Sequence, residues 1–130
     1  MILYICCAGG MTSSMFCKNI SKKTNMTTYV NNVGSVLKNL DEIKDKYELI
    51  IMYGPATYFK KNTIETYHLE NELIGIWIAT QVRYFKISFE KLVKSYYIPI
   101  ESIDMKLYGS MDGSQGWKEI QTLFLNRKTK

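Results

Sequence analysis

Ile2-Leu-Tyr-Ile-Cys-Cys-Ala-Gly-Gly-Met-Thr-Ser-Ser14 begins as an unbroken apolar run and passes directly into small and hydroxylated residues. Ile2–Cys6 is what a strand covered on both faces requires. The small residues then become helical in pattern through Met15, Phe16 and Ile20. Strand, tight loop and helix in succession predict one β-α unit, and the rest of the chain repeats the theme. Met26-Thr-Thr-Tyr-Val30 is short and β-prone, with Asn31-Asn32 marking a turn after it. Val33, Val36, Leu37, Leu40, Ile43 and Tyr47 recur at helical spacing. Glu48-Leu-Ile-Ile-Met-Tyr53 is a second buried-strand run, stopped by Gly54-Pro55.

Leu73–Ala79 reads as another strand, weakened by Gly75. Phe85, Phe89, Leu92, Val93 and Tyr96 form a helical stripe that ends before Pro99. Ile98, Ile100 and Ile103 alternate with polar neighbours, and a helix from about Gln115 carries Trp117, Ile120 and Leu123 on one face. Strands alternating with helices predict βαβ crossovers and an α/β three-layer sandwich. The sheet is expected to be four- to five-stranded and mostly parallel, with a phosphatase-like cysteine loop after its first strand. No solenoid-length repeat or low-complexity linker interrupts the chain, so residues 1–130 are read as one domain.

A chain of 130 residues with 46% apolar and 22% charged side chains excludes a disordered tail, a collagen-like fibre and a disulfide-stapled miniprotein. The longest apolar stretches, Ile2–Met11 and Leu49–Tyr53, fall short of the roughly 20 residues a bilayer span needs. The first charged side chain is Lys18, so the basic start of a secretory signal is missing and the expected compartment is the cytosol. Seventeen Lys and Arg against twelve Asp and Glu give +5. These charges are scattered, apart from Asn126-Arg-Lys-Thr-Lys130, which reads as a frayed tail. Nucleic-acid binding would call for a basic stripe interleaved with exposed aromatics. None is visible. The net charge would still favour an encounter with an acidic partner.

Three cysteines, an odd number, argue against a disulfide framework. Cys6, Cys7 and Cys17 have neither redox-pair nor paired zinc-ligand spacing, and His68 is remote in sequence. No metal and no cofactor is called for. What remains is one reactive thiol. In open α/β sheets, ligands sit beyond the carboxyl ends of the strands, and Cys7 falls at the carboxyl end of the first. Gly9 and Gly10 allow successive backbone N–H groups to point into one concavity. The following helix adds its unpaired amides and the positive end of its dipole. Thr12, Ser13 and Ser14 add hydroxyl donors. Moving a free cysteine from a pKa of about 8.5 toward 7 needs only roughly 2 kcal/mol, within reach of such a loop. The segment therefore suits a dianion attached to, or attacked by, the Cys7 sulfur. Cys6 is expected on the opposite side of the strand, in the core, and Cys17 in packing. An ordinary strand-to-helix turn with a small buried cysteine is the bland alternative for the same residues.

Low-molecular-weight tyrosine phosphatases and arsenate reductases combine such a loop with Cys-x5-Arg and an Asp-Pro general acid. Six residues beyond Cys7 stands Ser13, no arginine precedes Arg83, and the only prolines follow Gly54 and Ile98. Without the clamp or the acid, rapid hydrolysis lacks its parts. A loop that holds phosphocysteine but is ill-equipped to hydrolyse it is a carrier.

The sequence resembles the enzyme IIB component of the lactose/cellobiose class of the phosphoenolpyruvate-dependent sugar phosphotransferase system. That family's loop reads approximately C-S-A-G-M-S-T-S, against Cys7-Ala-Gly-Gly-Met-Thr-Ser-Ser14 here. Leu49-Ile-Ile-Met-Tyr-Gly-Pro55 is similar to its third strand. Ile98–Asp104, with Tyr108-Gly109 and Asp112-Gly113, is similar to its last strand and the loop before its final helix. In the family, Gly-Pro runs straight into Gln-Val/Ile-Arg-Tyr. Here Gly54-Pro55 and Gln81-Val-Arg-Tyr84 are separated by Ala56–Thr80, which implies an insertion at about 56–80 or a rearranged middle, and leaves open whether Pro55 or Gln81 faces the loop.

The resemblance implies a cytoplasmic phosphocarrier that reaches the membrane transiently through its partner. Cys7 would take a phosphoryl group from a phosphohistidine on a IIA protein and pass it to a sugar, a disaccharide or β-glucoside, held by a membrane IIC protein. The implied phosphate-binding residues are Ala8, Gly9, Gly10, Met11, Thr12, Ser13 and Ser14. Pro55, Gln81, Tyr108 and Asp112 are placed near the site, although packing and an Asp-Gly turn explain the last two equally well. His68, in the segment without a family counterpart, reads as a surface or satisfied histidine. Two rival readings accompany this one: a diverged, noncatalytic regulatory or interaction module, and a cysteine phosphatase.

Overall fold

The structure, a computed structural model, describes residues 1–7 and 11–126. Five strands, β1 (Ile2–Cys7), β2 (Thr28–Asn32), β3 (Leu49–Pro55), β4 (Leu73–Ile78) and β5 (Ile100–Ser102), form one sheet in the order β2-β3-β1-β4-β5. Every pairing is parallel. All carboxyl ends therefore meet at one rim, and β1 lies at the centre. Its side chains are buried along its whole length, as its continuous apolar run predicts.

The helices divide between the two faces. One face is covered by α1 (Met11–Ser21), α6 (Met105–Ser110) and α7 (Gly113–Ile120), which continues as a π turn over Gln121–Leu125. Here Trp77 of β4 meets Phe16 of α1 at 5.6 Å and Phe124 at 6.0 Å between ring centroids. The glycine that seemed to weaken β4 makes room for this packing: a Cβ on Gly75 would stand 2.2 Å from the Phe124 ring. The other face carries α2 (Val33–Lys38), α3 (Leu40–Ile43), α4 (Lys61–Tyr67) and α5 (Lys86–Val93). Its aromatic line runs from Tyr4 through Phe59 to Phe89, with centroids 5.4 and 6.3 Å apart.

Four local expectations change. Asn31-Asn32 belongs to the end of β2 rather than to a turn, and Asn32 caps α2 by accepting from the Ser35 amide at 2.9 Å. The helix expected over 33–47 breaks at Asn39 into α2 and α3. Tyr47 lies beyond it, against Tyr29 at 5.2 Å. Strand β3 runs through Gly54-Pro55 instead of stopping before it. Proline has no N–H to offer a ladder, and at the last position of β3 none is demanded. Finally, residues 105–110 form helix α6, with Asp104 as its N-cap accepting from the Leu107 amide at 3.0 Å. Segment 56–80 supplies α4 and β4, with Ile64, Leu69, Leu73, Ile76 and Trp77 all buried.

Candidate functional site

Side chains alternate across a strand, so Cys6 and Cys7 leave β1 toward opposite faces. Cys7 points to the face of α1 and α6. Its sulfur lies 3.0 Å from Ser13 Oγ and donates at 3.7 Å to the Gly54 carbonyl of neighbouring β3. Helix α1 starts at Met11, four residues beyond the strand, and so brings Ser13 of its first turn over the sulfur. Ser13 is 1% exposed and Cys7 2%. From α6, Tyr108 is buried on the same side of the sheet, and its phenol is pushed well above its ordinary pKa by burial first and then by the Cys7 charge, with hydrogen bonding to Ser13 working the other way. The Tyr108 ring rests edge-on against Phe16, with centroids 5.8 Å apart and planes at 76°.

Cys6, wholly buried on the opposite face, is different. Burial first, and then the neighbouring Cys7 charge, push its thiol up to about 12. Cys17, wholly buried one turn along α1 from Ser13, is raised by burial first and by Cys7 second.

Both stretches that the sequence offers as borders of the cysteine loop reach β1, from opposite sides. Pro55 is in register with Cys7 across the β1–β3 pair. On the β4 side Ile78 is in register with Cys6, the Ala79 amide donates to the Cys6 carbonyl at 2.9 Å, and Thr80–Phe85 follows as a 3-10 turn carrying an exposed Gln81. Asp112 is exposed, and its carboxylate caps α7 by accepting from the Gln115 amide at 3.1 Å. Thr12 is exposed and Ser14 half-buried in the first turn of α1. Ala8, Gly9 and Gly10 lie outside the described residues, as does the side chain of Met11. So does the tail 127–130. Arg83 is exposed and donates to the Thr80 carbonyl of its own turn at 3.3 Å. His68 is an exposed left-handed residue ending α4.

Two participants escaped the sequence reading. Tyr4, inside an apolar run, sends its hydroxyl to the Pro55 carbonyl at 2.6 Å. A phenol in a buried strand needs such a partner, which was the available signal. The Gly54 carbonyl, whose acceptance from Cys7 depends on strand order, left no local signal.

No family model matches the chain, and no curated protein sequence does. Among solved structures, the fold is similar to that of the lactose-specific IIB component domain of the phosphoenolpyruvate:carbohydrate phosphotransferase system from Streptococcus pneumoniae. The superposition covers 95% of this chain and 96% of that one, with a TM-score of 0.60 and 15% sequence identity. The chain thus has the α/β architecture of a IIB domain: a five-stranded, all-parallel sheet with helices on both faces. Among the described residues no helix is long and apolar enough to cross a membrane.

Proposed function

We propose that the protein is a phosphocarrier of a sugar phosphotransferase system, of the lactose/cellobiose IIB type, working through a phosphocysteine at Cys7. The observation that carries this reading is the sulfur at the carboxyl end of the central strand of a IIB-like fold, with the Ser13 hydroxyl 3.0 Å away in the first turn of the next helix. In this reading the Cys7 thiolate attacks the phosphorus of a phosphohistidine on a IIA protein, the imidazole's other ring nitrogen being protonated. The P–N bond breaks, its electron pair stays on the imidazole, which leaves neutral, and the S–P bond forms. The amides and hydroxyls of Ala8–Ser14 hold the transferred dianion. The group then passes to a disaccharide or β-glucoside on a membrane IIC protein, and the carrier works in the cytoplasm. In this reading the chain is a single domain, and residues 56–80, which carry α4 and β4, are its insertion. Cys7 is 2% exposed, so its loading entails displacing what covers it.

Incubation with phosphoenolpyruvate and the upstream carriers is expected to add one phosphoryl group, seen by intact-protein mass spectrometry. Cys7→Ser is expected to lose the stable label at sulfur, and equal labelling of both proteins overturns the reading. The near-complete burial of Cys7 favours the noncatalytic module as the second reading. That reading expects no label at all, and partner binding that survives Cys7→Ala but not deletion of residues 56–80. Robust turnover of p-nitrophenyl phosphate, lost in Cys7→Ala, would instead identify a phosphatase.

A further inference from the structure

Helix α4 and the turn Ala56–Tyr58 before it carry a groove that the cysteine site does not use. Its volume is about 480 Å³, inside the roughly 300–1,000 Å³ range of small-molecule sites. It lies on the face of Cys6 and Tyr4, where Phe59 stacks on Tyr4 at 5.4 Å, and so across the sheet from the Cys7 sulfur. Tyr58 and Tyr67 line it with rings 42% and 36% exposed. With them come the exposed Thr57, Lys60, Asn62 and Thr66. The neighbouring Thr63 hydroxyl is taken up by the Lys60 amide at 3.0 Å. Among the described residues no hydrogen bond occupies the side chains of Thr57, Asn62, Thr66 or Tyr67.

This lining selects a ligand by its chemistry. No aliphatic side chain is part of it, so an apolar molecule finds no match, and no carboxylate is, so a metal ion finds no hard ligand. One ammonium is too little for a nucleic-acid backbone. The tyrosine rings offer flat apolar faces, the hydroxyls and the amide offer donors and acceptors together, and Lys60 offers a point charge suited to phosphate. A ring polyol with one phosphate uses all three. We propose that this groove binds a phosphorylated saccharide, with its phosphate on Lys60 and a sugar ring against the tyrosines. Thr66 and Tyr67 also line a second groove of about 520 Å³, shared with Lys38, Asp41 and His68. There the lysine and the aspartate offset each other's charge, so Lys60 remains the uncompensated cation. Continuity past Tyr67 leaves room for a second sugar ring, and hence for a disaccharide phosphate. The choice of a saccharide rests on the phosphocarrier reading, in which a phosphorylated disaccharide is the product; the groove itself does not. Binding there would let the carrier register the product of its own transfer.

The test is a titration of the isotope-labelled full chain with cellobiose monophosphate, cellobiose, inorganic phosphate and AMP, followed by amide chemical shifts. Cellobiose monophosphate is expected to move the signals of Asn62 and Thr66, and to bind about tenfold more tightly than cellobiose or inorganic phosphate. Lys60→Gln should remove that advantage and leave the affinity for cellobiose unchanged, whereas Tyr67→Ala should weaken both sugars. Absence of binding overturns the inference, as do an unchanged affinity in Lys60→Gln, equal affinity for inorganic phosphate or AMP, and shifts centred on Ser13 instead of Asn62. If Tyr67→Ala does not fold, saturation transfer from the tyrosine ring protons of the wild type to the bound sugar reads the same contact, and its absence overturns the proposal. Failure of phosphoryl labelling with sugar-phosphate binding intact would remove the carrier reading and leave the site standing. Labelling without that binding would remove the site alone.

Discussion

The two faces of the sheet each receive a cysteine from neighbouring positions of one strand, and treat them oppositely. Cys6 and Cys7 are equally covered, at 0% and 2% exposure. On the α2–α5 side the coverage is aromatic and aliphatic, and burial drives the Cys6 thiol up to about 12. On the α1–α6–α7 side Cys7 meets the Ser13 hydroxyl and the Gly54 carbonyl. Burial therefore does not separate a structural thiol from a candidate nucleophile in this protein. The polar partners do, and they come from two different elements, α1 and β3.

The largest expected break in this comparison is chemical. Phosphoryl labelling should vanish from the sulfur in Cys7→Ser and persist in Cys6→Ala, read by mass spectrometry of the peptide containing both. Labelling at Cys6 would invert the assignment of the faces. Next comes packing. Trp77→Ala on one face and Phe59→Ala on the other should each cost about 3–5 kcal/mol in urea unfolding. Only Trp77→Ala, which removes the support of Phe16 and so of Tyr108, is expected to change the alkylation rate of Cys7. Equal effects on that rate would mean that the faces are not independent.

The third effect is in pH. A Cys6 thiol at about 12 in the folded state lies above the unfolded value of about 8.5. The folded protein thus holds a proton that the unfolded chain releases. The stabilisation is complete below about 8.5 and is lost as pH climbs from there toward 12. Cys6→Ala should make the fall of unfolding free energy shallower by about 1.4 kcal/mol per pH unit in that window. Identical slopes in the two proteins would show that Cys6 does not control it. The smallest effect concerns Tyr4→Phe, which leaves the Pro55 carbonyl without its donor. It should cost about 1 kcal/mol in the same unfolding assay, and a neutral result would mean that water replaces the phenol.

Much of the fold is legible locally. The apolar runs at Ile2–Cys6, Glu48–Tyr53 and Leu73–Ala79 became the three central strands because a strand buried on both faces tolerates little else. Where local reading failed, a long-range contact had decided. Gly75 reads as a flaw in a strand until Phe124, some fifty residues later, packs onto it. Gly113 reads as half of an Asp-Gly turn, yet a Cβ there would stand 2.2 Å from the Asn19 carbonyl oxygen, so it also marks the close approach of α7 to α1. Residues 105–110 carry too short a periodic pattern to announce a helix, and their cap, Asp104, is visible only once the chain turns after β5.

By itself the sequence determined the alternation of strands and helices, and the position of Cys7 at the end of a buried strand ahead of hydroxyl-bearing residues. Both follow from hydrophobic period and residue size, which are local properties. Strand order belonged to the tertiary structure. With β1 between β3 and β4, Pro55 and Gln81 stand on opposite sides of the cysteine strand instead of competing for one side. The meeting of Tyr108 with Phe16 was likewise tertiary. Residues some ninety positions apart come together only through the packing of α6 and α1 over the sheet, and no periodicity along a chain encodes which helix lies beside which.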